Sequence, residues 1–319
     1  MDTIMTEAIG SFRQSARRWT AESIPPQHGR LAVVTGTGGL GYETALALAR
    51  AGARVVVAGR DPGKGAAAIA AIDAAIPGGR ARFRRLDLAN LDSVAAFAAA
   101  LAEEADRLDI LVNNAGVMTP PTRRLTQDGF ELQFGTNHLG HVALTAHLLP
   151  LLRRSRRARV VTLSSVAARN GAIDFEDLQA ERSYRPMPVY GQSKLACLVF
   201  ALEFSRRSAL AGWGVESLAA HPGVSRTDLL PNGAGPRSMP GLLRRFLPIL
   251  FQPAAQGALP TLFAATDPAA RSGGYYGPDG FGELRGHPAP AAIPKQALEA
   301  ETARRLWEES LRLTGVSFG

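Results

Sequence analysis

Short apolar runs alternate with longer alanine- and leucine-rich stretches along most of the chain. The runs Leu31–Thr35, Arg54–Ala58, Arg82–Asp87, Asp109–Asn113, Arg159–Ser164 and Val215–Ala220 predict strands. Between them, Gly41–Ala51, Pro62–Ile76, Leu91–Arg107, Asn137–Arg153 and Val189–Ser208 predict helices. Runs such as LAVVT and RVVVA do not alternate. Continuous β-branched residues mark strands buried on both faces, and helical crossovers between them impose parallel pairing. The expected fold is α/β, a doubly wound parallel sheet. No linker separates Arg30 from Gly286, so residues 30–319 are expected to form one domain behind an N-terminal arm, residues 1–29.

Beyond Ala220 the pattern breaks. Pro222, Pro231, Pro236, Pro240, Pro248 and Pro253 punctuate a glycine-containing stretch that includes the apolar segment Gly241–Phe251. Such a segment after the sixth strand predicts a substrate lid over about residues 225–285. A last helix is expected near Gln296–Arg312. In the arm, Ile4, Met5, Ala8, Ile9, Phe12 and Trp19 recur at helical spacing, with Arg13, Arg17 and Arg18 on another side. Two readings stay open for it: weak peripheral contact with a membrane surface, or docking on the domain or a partner subunit.

Composition narrows the classes. With 319 residues, 46% of them hydrophobic, the chain can bury a sizeable core and is not disordered. No run reaches the ~20 apolar residues of a membrane-spanning helix. The first residues lack the apolar core and cleavage site of a secretory signal, and the one cysteine, Cys197, excludes an internal disulfide. A cytoplasmic location is expected. One cysteine and histidines without acidic partners predict no metal site. The net charge of +8 invites a polyanion, but the dense arginines (Arg82, Arg84, Arg85; Arg153, Arg154, Arg156, Arg157, Arg159) have no interleaved aromatic residues for base stacking. They predict a solvated surface and no specific nucleic-acid partner.

Two motifs carry candidate chemistry. The first strand runs into Gly36-Thr37-Gly38-Gly39-Leu40-Gly41 and then a helix. Glycines there let a pyrophosphate approach the main chain, and the helix N-terminus offers free N–H groups to the anion. Further on, Tyr190 and Lys194 lie four residues apart on a predicted helix, so phenol and ammonium share one face. A tyrosine with a pKa of about 10 is no base near neutrality; a neighbouring ammonium stabilises the phenolate.

In this order the chain resembles the short-chain dehydrogenase/reductase family, and within it the retinol dehydrogenase-like subgroup and its bacterial relatives. Its loop, TGxxGxG, is one residue shorter than the family's TGxxxGxG. The resemblance implies a Rossmann fold, a bound nicotinamide cofactor and a carbonyl or alcohol substrate. It makes Asn137, Ser165, Tyr190 and Lys194 the catalytic set, with Ser164 the runner-up to Ser165. The Asn137 carbonyl would hold a water relaying protons to Lys194. Asp87 and Leu88 resemble the adenine-binding pair, and Asn113-Asn114-Ala115-Gly116 the NNAG motif, in which Asn113 holds the sheet and the small residues let the cofactor lie close. Pro222, Gly223 and Val224 with Thr227 resemble the PG motif beside the nicotinamide. The 25-residue separation of Ser165 and Tyr190 is the subgroup's mark.

NAD-specific members place an aspartate after the second strand; here Gly59 stands there and Arg60 follows. That favours NADP, with NAD the alternative should Asp61 turn to the ribose. Lys64 reads as a solvated helix lysine, and His138 and His141 as packing or solvent contacts. The family's frequent dimers and tetramers leave a homo-oligomer open. The expected function is NADP-dependent hydride transfer to or from an apolar carbonyl or alcohol. The alternative is a nucleotide-binding regulatory or scaffold protein without turnover, favoured only by the short loop.

Overall fold

The computed structural model describes residues 18–78, 80–225 and 252–319. The six expected strands form, as β1 (Leu31–Thr35), β2 (Arg54–Gly59), β3 (Ala81–Arg85), β4 (Ile110–Asn113), β5 (Ala158–Leu163) and β6 (Val215–Ala220). Two more follow, β7 (Tyr275–Pro278) and β8 (Pro288–Pro290). The sheet order is β3-β2-β1-β4-β5-β6-β7-β8, parallel through β7 and antiparallel at β8. The order reverses between β1 and β4, the crevice where a doubly wound sheet takes its ligand.

Helices cover both faces. On one lie α1 (Gly39–Arg50), α2 (Pro62–Ala75) and α6 (Ala254–Thr266); on the other lie α3 (Leu91–Glu104), α4 (Gly140–Arg153) and α5 (Pro186–Ala211). Local chemistry sets their ends. Asp61 caps α2, accepting from the Lys64 N–H at 3.1 Å with Pro62 at the first position. Asn90 caps α3 in the same way. Gly212 ends α5 in the left-handed conformation. The last helix, α7 (Ala300–Thr314), starts later than expected, after a 3₁₀ turn at Lys295–Ala297. It packs Leu306 and Trp307 against α5, where Trp307 stacks on Phe200 and Phe204.

Two expectations change here. Helix α6 falls inside the stretch read as a lid, yet Ala258, Leu262, Phe263 and Ala264 are core residues against α1. The segment Gly241–Phe251 lies outside the described residues. Arg159, read as solvated, is 4% exposed. Its guanidinium donates to Glu216 at 2.6 Å and to the carbonyls of Ala264, Asp267 and Ala270, satisfying a buried charge and closing the C-terminal end of α6. In the arm, the Trp19 indole N–H donates to Asp267 at 2.7 Å and its ring meets Phe263 edge-on, so the arm's end is docked on the domain. The rest of the apolar pattern, Ile4 to Phe12, lies outside the described residues.

Candidate active site

The site grows from the carboxyl ends of the strands. Between the last residue of β1 and the first of α1 stand only Gly36, Thr37 and Gly38. Gly36 has φ +102°, and a Cβ at Gly41 would overlap its carbonyl, so this turn needs glycine at both places. Gly38 caps α1 without a side-chain bond, and Gly39 and Leu40 follow on its first turn. The Gly41 N–H donates to the Gly38 carbonyl at 3.1 Å, while those of Gly39 and Leu40 find no acceptor among the described residues, as an anion cradle requires.

The turn is tied to the end of β4 through Thr35. The Thr35 hydroxyl oxygen accepts from the N–H groups of Asn114 and Ala115, both at 2.9 Å, and the Asn114 amide donates to the Thr35 carbonyl at 2.6 Å. Asn113 is buried and donates to Thr145 at 3.0 Å, which clamps β4 to α4. Asp87 is half-buried and lines a surface groove of about 510 Å³ with Arg84, Arg85 and Asn90. The Leu88 side chain is in the core, so only its main chain can meet a ligand. Arg60 is exposed at the end of β2.

Tyr190 and Lys194 lie on α5. The Tyr190 ring is 6% exposed, and its hydroxyl has no hydrogen bond among the described residues. Lys194 is buried and donates to the Leu163 carbonyl at 3.1 Å. Its Nζ and Asn137 Oδ1 converge on Gly116: a Cβ there would stand 3.6 Å from the first and 2.9 Å from the second. Asn137 sits in a π-helical turn, Gly135–Leu139, that leads into α4. Its amide group brackets Val117, accepting from the N–H at 2.7 Å and donating to the carbonyl at 3.0 Å, and also donates to Ser193 at 2.9 Å. Ser165 begins the turn after β5; its hydroxyl oxygen accepts from the Ala167 N–H at 3.2 Å, leaving its own proton free. Asn137, Ser165, Tyr190 and Lys194 thus gather around the ends of β4 and β5.

The PG motif is held from outside. Val224 donates to the Leu284 carbonyl at 2.8 Å and Gln252 to the Pro222 carbonyl at 2.6 Å. Gly223 donates to His221 Nδ1 at 3.2 Å, so His221 carries its proton on Nε2 and donates it to Glu283 at 2.8 Å. Burial would raise the Glu283 pKa, but the His221 hydrogen bond and the Arg169 charge hold it at about 2. Thr227 lies outside the described residues. Among the described residues no group of three His, Cys, Asp or Glu could hold a metal.

This geometry is a crevice at the carboxyl ends of the strands with a tyrosine–lysine pair beside it, and the family model of the short chain dehydrogenases matches residues 30–234. The chain belongs to the short-chain dehydrogenase family. It is 42% identical to human retinol dehydrogenase 13 over 294 residues, 90% of this chain and 85% of that protein. Mouse polyprenol dehydrogenase is 42% identical over 303 residues, 93% and 87% of the two chains. Among solved structures, an uncharacterised protein from Mycobacterium paratuberculosis is 40% identical with a TM-score of 0.77, covering 95% of this chain and 100% of its own. The Pseudomonas aeruginosa RhlG/NADP complex is 26% identical with a TM-score of 0.61, covering 78% and 94%. The chain is an NAD(P)-dependent dehydrogenase acting on CH–OH or C=O groups, of the retinol dehydrogenase-like kind.

Two groups at this short-chain dehydrogenase site were not singled out in the sequence, and a third, His141, was given only a packing or solvent role. Gln192, inside the YxxxK motif, accepts from Asp174 at 2.8 Å and donates to Leu178 at 3.1 Å, which pins the long segment between Ser165 and Tyr190. The Arg169–Glu283–His221 cluster joins residues too distant in the chain to signal one another. His141, read as packing, bonds to Asn137; its spacing of four residues on one helix was the available signal.

Proposed function

We propose that this enzyme is NADP-dependent and acts on apolar carbonyl or alcohol substrates. The observation that carries the cofactor half is that Gly59 and the exposed Arg60, and not a carboxylate, stand directly at the end of β2. Thr37 fills the space beside Gly59, where an added Cβ would stand 2.7 Å from its methyl group. Asp61, the next acidic residue, turns one carboxylate oxygen to the Lys64 N–H as the cap of α2. Arg60 remains, and a guanidinium suits a 2′-phosphate. The glycine turn, the uncapped start of α1 and this end of β2 fit such a cofactor. Gly36 to Gly41 would hold its pyrophosphate, Asn114 to Gly116 and Pro222 to Val224 its nicotinamide half, Asp87 and Leu88 its adenine.

When bound, the nicotinamide supplies or accepts the hydride. Ser165 donates a hydrogen bond to the substrate oxygen. Tyr190 gives that oxygen its proton in reduction, or takes it in oxidation, and the Lys194 ammonium stabilises the phenolate.

Support for an apolar substrate comes from the relatives' names, since retinol and polyprenols are long isoprenoid alcohols. The apolar composition of Gly241–Phe251 agrees with it. The test is a series of aldehydes of rising chain length, assayed with NADPH and NADH. Each methylene should favour binding by about 0.8 kcal/mol until the pocket is full. A kcat/KM flat in chain length, or higher with NADH, would refute this reading.

A further inference from the structure

Glu283 joins the segments that follow two neighbouring strands, and its carboxylate takes three donors. Oε2 accepts from His221 Nε2 at 2.8 Å and pairs with the Arg169 guanidinium; Oε1 accepts from the Ala292 N–H at 3.0 Å. The Glu283 backbone has φ +57°, in the left-handed region, directly after Gly282 at φ +62°. A residue with a side chain stays there only where its surroundings over-determine it, and such strain gathers at functional sites.

On one side Glu283 reaches the PG motif. His221 is fully buried, with the Tyr275 ring 5.2 Å away and no room for a side chain at Gly277 beside Nε2. Burial lowers its pKa against the pull of Glu283, so the ring is neutral at pH 7. Its proton on Nε2 is committed to Glu283, which leaves Nδ1 as the acceptor for the Gly223 N–H. The next carbonyl in the turn, that of Leu284, accepts from Val224. On the other side lies the turn after β5. Ser165 caps the 3₁₀ turn Val166–Asn170, and Arg169 belongs to that turn. Arg169 also donates to the Gly282 carbonyl at 2.9 Å, so it grips the Glu283 turn at two points.

We propose that Glu283 is a positioning residue for hydride transfer. It ties the Ser165 turn, at the end of β5, to the PG motif, at the end of β6. It thereby fixes the spacing between the donor to the substrate oxygen and the nicotinamide half of the crevice. It acts through Arg169 and His221. A displacement of about 1 Å at a reacting centre can cost on the order of 100-fold in rate. The inference rests on the proposed roles of Ser165 and the PG motif.

Arg169→Ala, Glu283→Ala and the double variant form a cycle. Single-turnover oxidation of bound NADPH by a long-chain aldehyde should slow about 10-fold or more in Glu283→Ala. Arg169→Ala keeps the bond between Glu283 and His221 and should slow less, by about 3- to 5-fold. The double variant should match Glu283→Ala within about 2-fold, because Arg169 acts through the same carboxylate. NADPH affinity, read by fluorescence, should change less than about 3-fold in all three. In the enzyme without cofactor, long-range 15N–1H correlation should show His221 neutral with its proton on Nε2.

Losses that multiply in the double variant, a wild-type transfer rate in Glu283→Ala, a loss confined to NADPH affinity, or a His221 proton on Nδ1 would each overturn the proposal. If Glu283→Ala does not fold, Glu283→Gln and Arg169→Ala carry the test. The glutamine keeps the length but loses the charge and an acceptor, so transfer should slow in both variants, and wild-type rates overturn the coupling. A wild-type enzyme inactive with both cofactors, or Ser165→Ala at the wild-type rate, would instead overturn the reading on which it rests.

Discussion

The Ser164 hydroxyl donates to the Lys194 carbonyl across 2.7 Å, and this bond separates the roles of two adjacent serines. Ser164 is 3% exposed and spends its proton on holding α5 against the end of β5. Ser165 has its proton free for a substrate oxygen. Ser165→Ala should therefore lower kcat about 100-fold with little change in stability, as for loss of one oxyanion donor. Ser164→Ala should instead lower stability by about 1 kcal/mol or more, the worth of a buried hydrogen bond. Steady-state kinetics and urea unfolding on both variants check this; the opposite pattern exchanges the two residues.

The cofactor preference turns on Arg60. Its contact with a 2′-phosphate would be charge-assisted and available to NADPH only. Arg60→Ala should raise the KM for NADPH by about 10-fold or more and leave that for NADH nearly unchanged. Gly59→Asp should weaken NADPH more strongly still, since the new side chain meets Thr37 and repels the phosphate. Equal losses for both cofactors in Arg60→Ala would remove Arg60 from the phosphate site.

Stability should fall on the acid side of neutrality. Burial, reinforced by their mutual proximity or the Lys194 charge, lowers the pKa of His138 to about 3 and of His141 to about 4. In the unfolded chain both titrate near 6.5. Below about pH 6.5 the unfolded state binds protons that the native state refuses, so stability is fully present above that pH and is lost as pH falls toward 4 and 3. By pH 5 the loss is about 2 kcal/mol for each histidine. Glu283, held at about 2, adds its own loss only below the unfolded glutamate value of about 4.3. Urea unfolding at pH 7 and pH 5 checks this. His138→Gln should remove about half of the difference, and equal stability at both pH values would contradict it.

Much of the fold was legible because β1, β2, β4 and β5 are buried on both faces and read as unbroken apolar runs. What followed Ala220 was not. β7 and β8 are spelled YYGP and PAP, and α6 carries Pro260 inside it; their places come from pairing with β6 and packing on α1. Proline fits β8 because it is the edge strand. The glycine turn and the tyrosine–lysine pair were visible as local spacings. The burial of Arg159 was not, since its partners come from β6 and from the carbonyls at the end of α6. Likewise Glu283 reaches His221 and Arg169 only in the folded chain.

The central claim is that Tyr190 exchanges the proton with substrate while Lys194 supports it. Tyr190→Phe removes one oxygen from a ring that makes no hydrogen bond among the described residues, so the fold and the cofactor crevice should stay intact. The decisive measurement is kcat of Tyr190→Phe with NADPH and a long-chain aldehyde, alongside NADPH affinity by fluorescence. A fall of about 100-fold or more in kcat with unchanged affinity is the predicted result. A kcat equal to that of the wild-type enzyme would show that the proton takes another route.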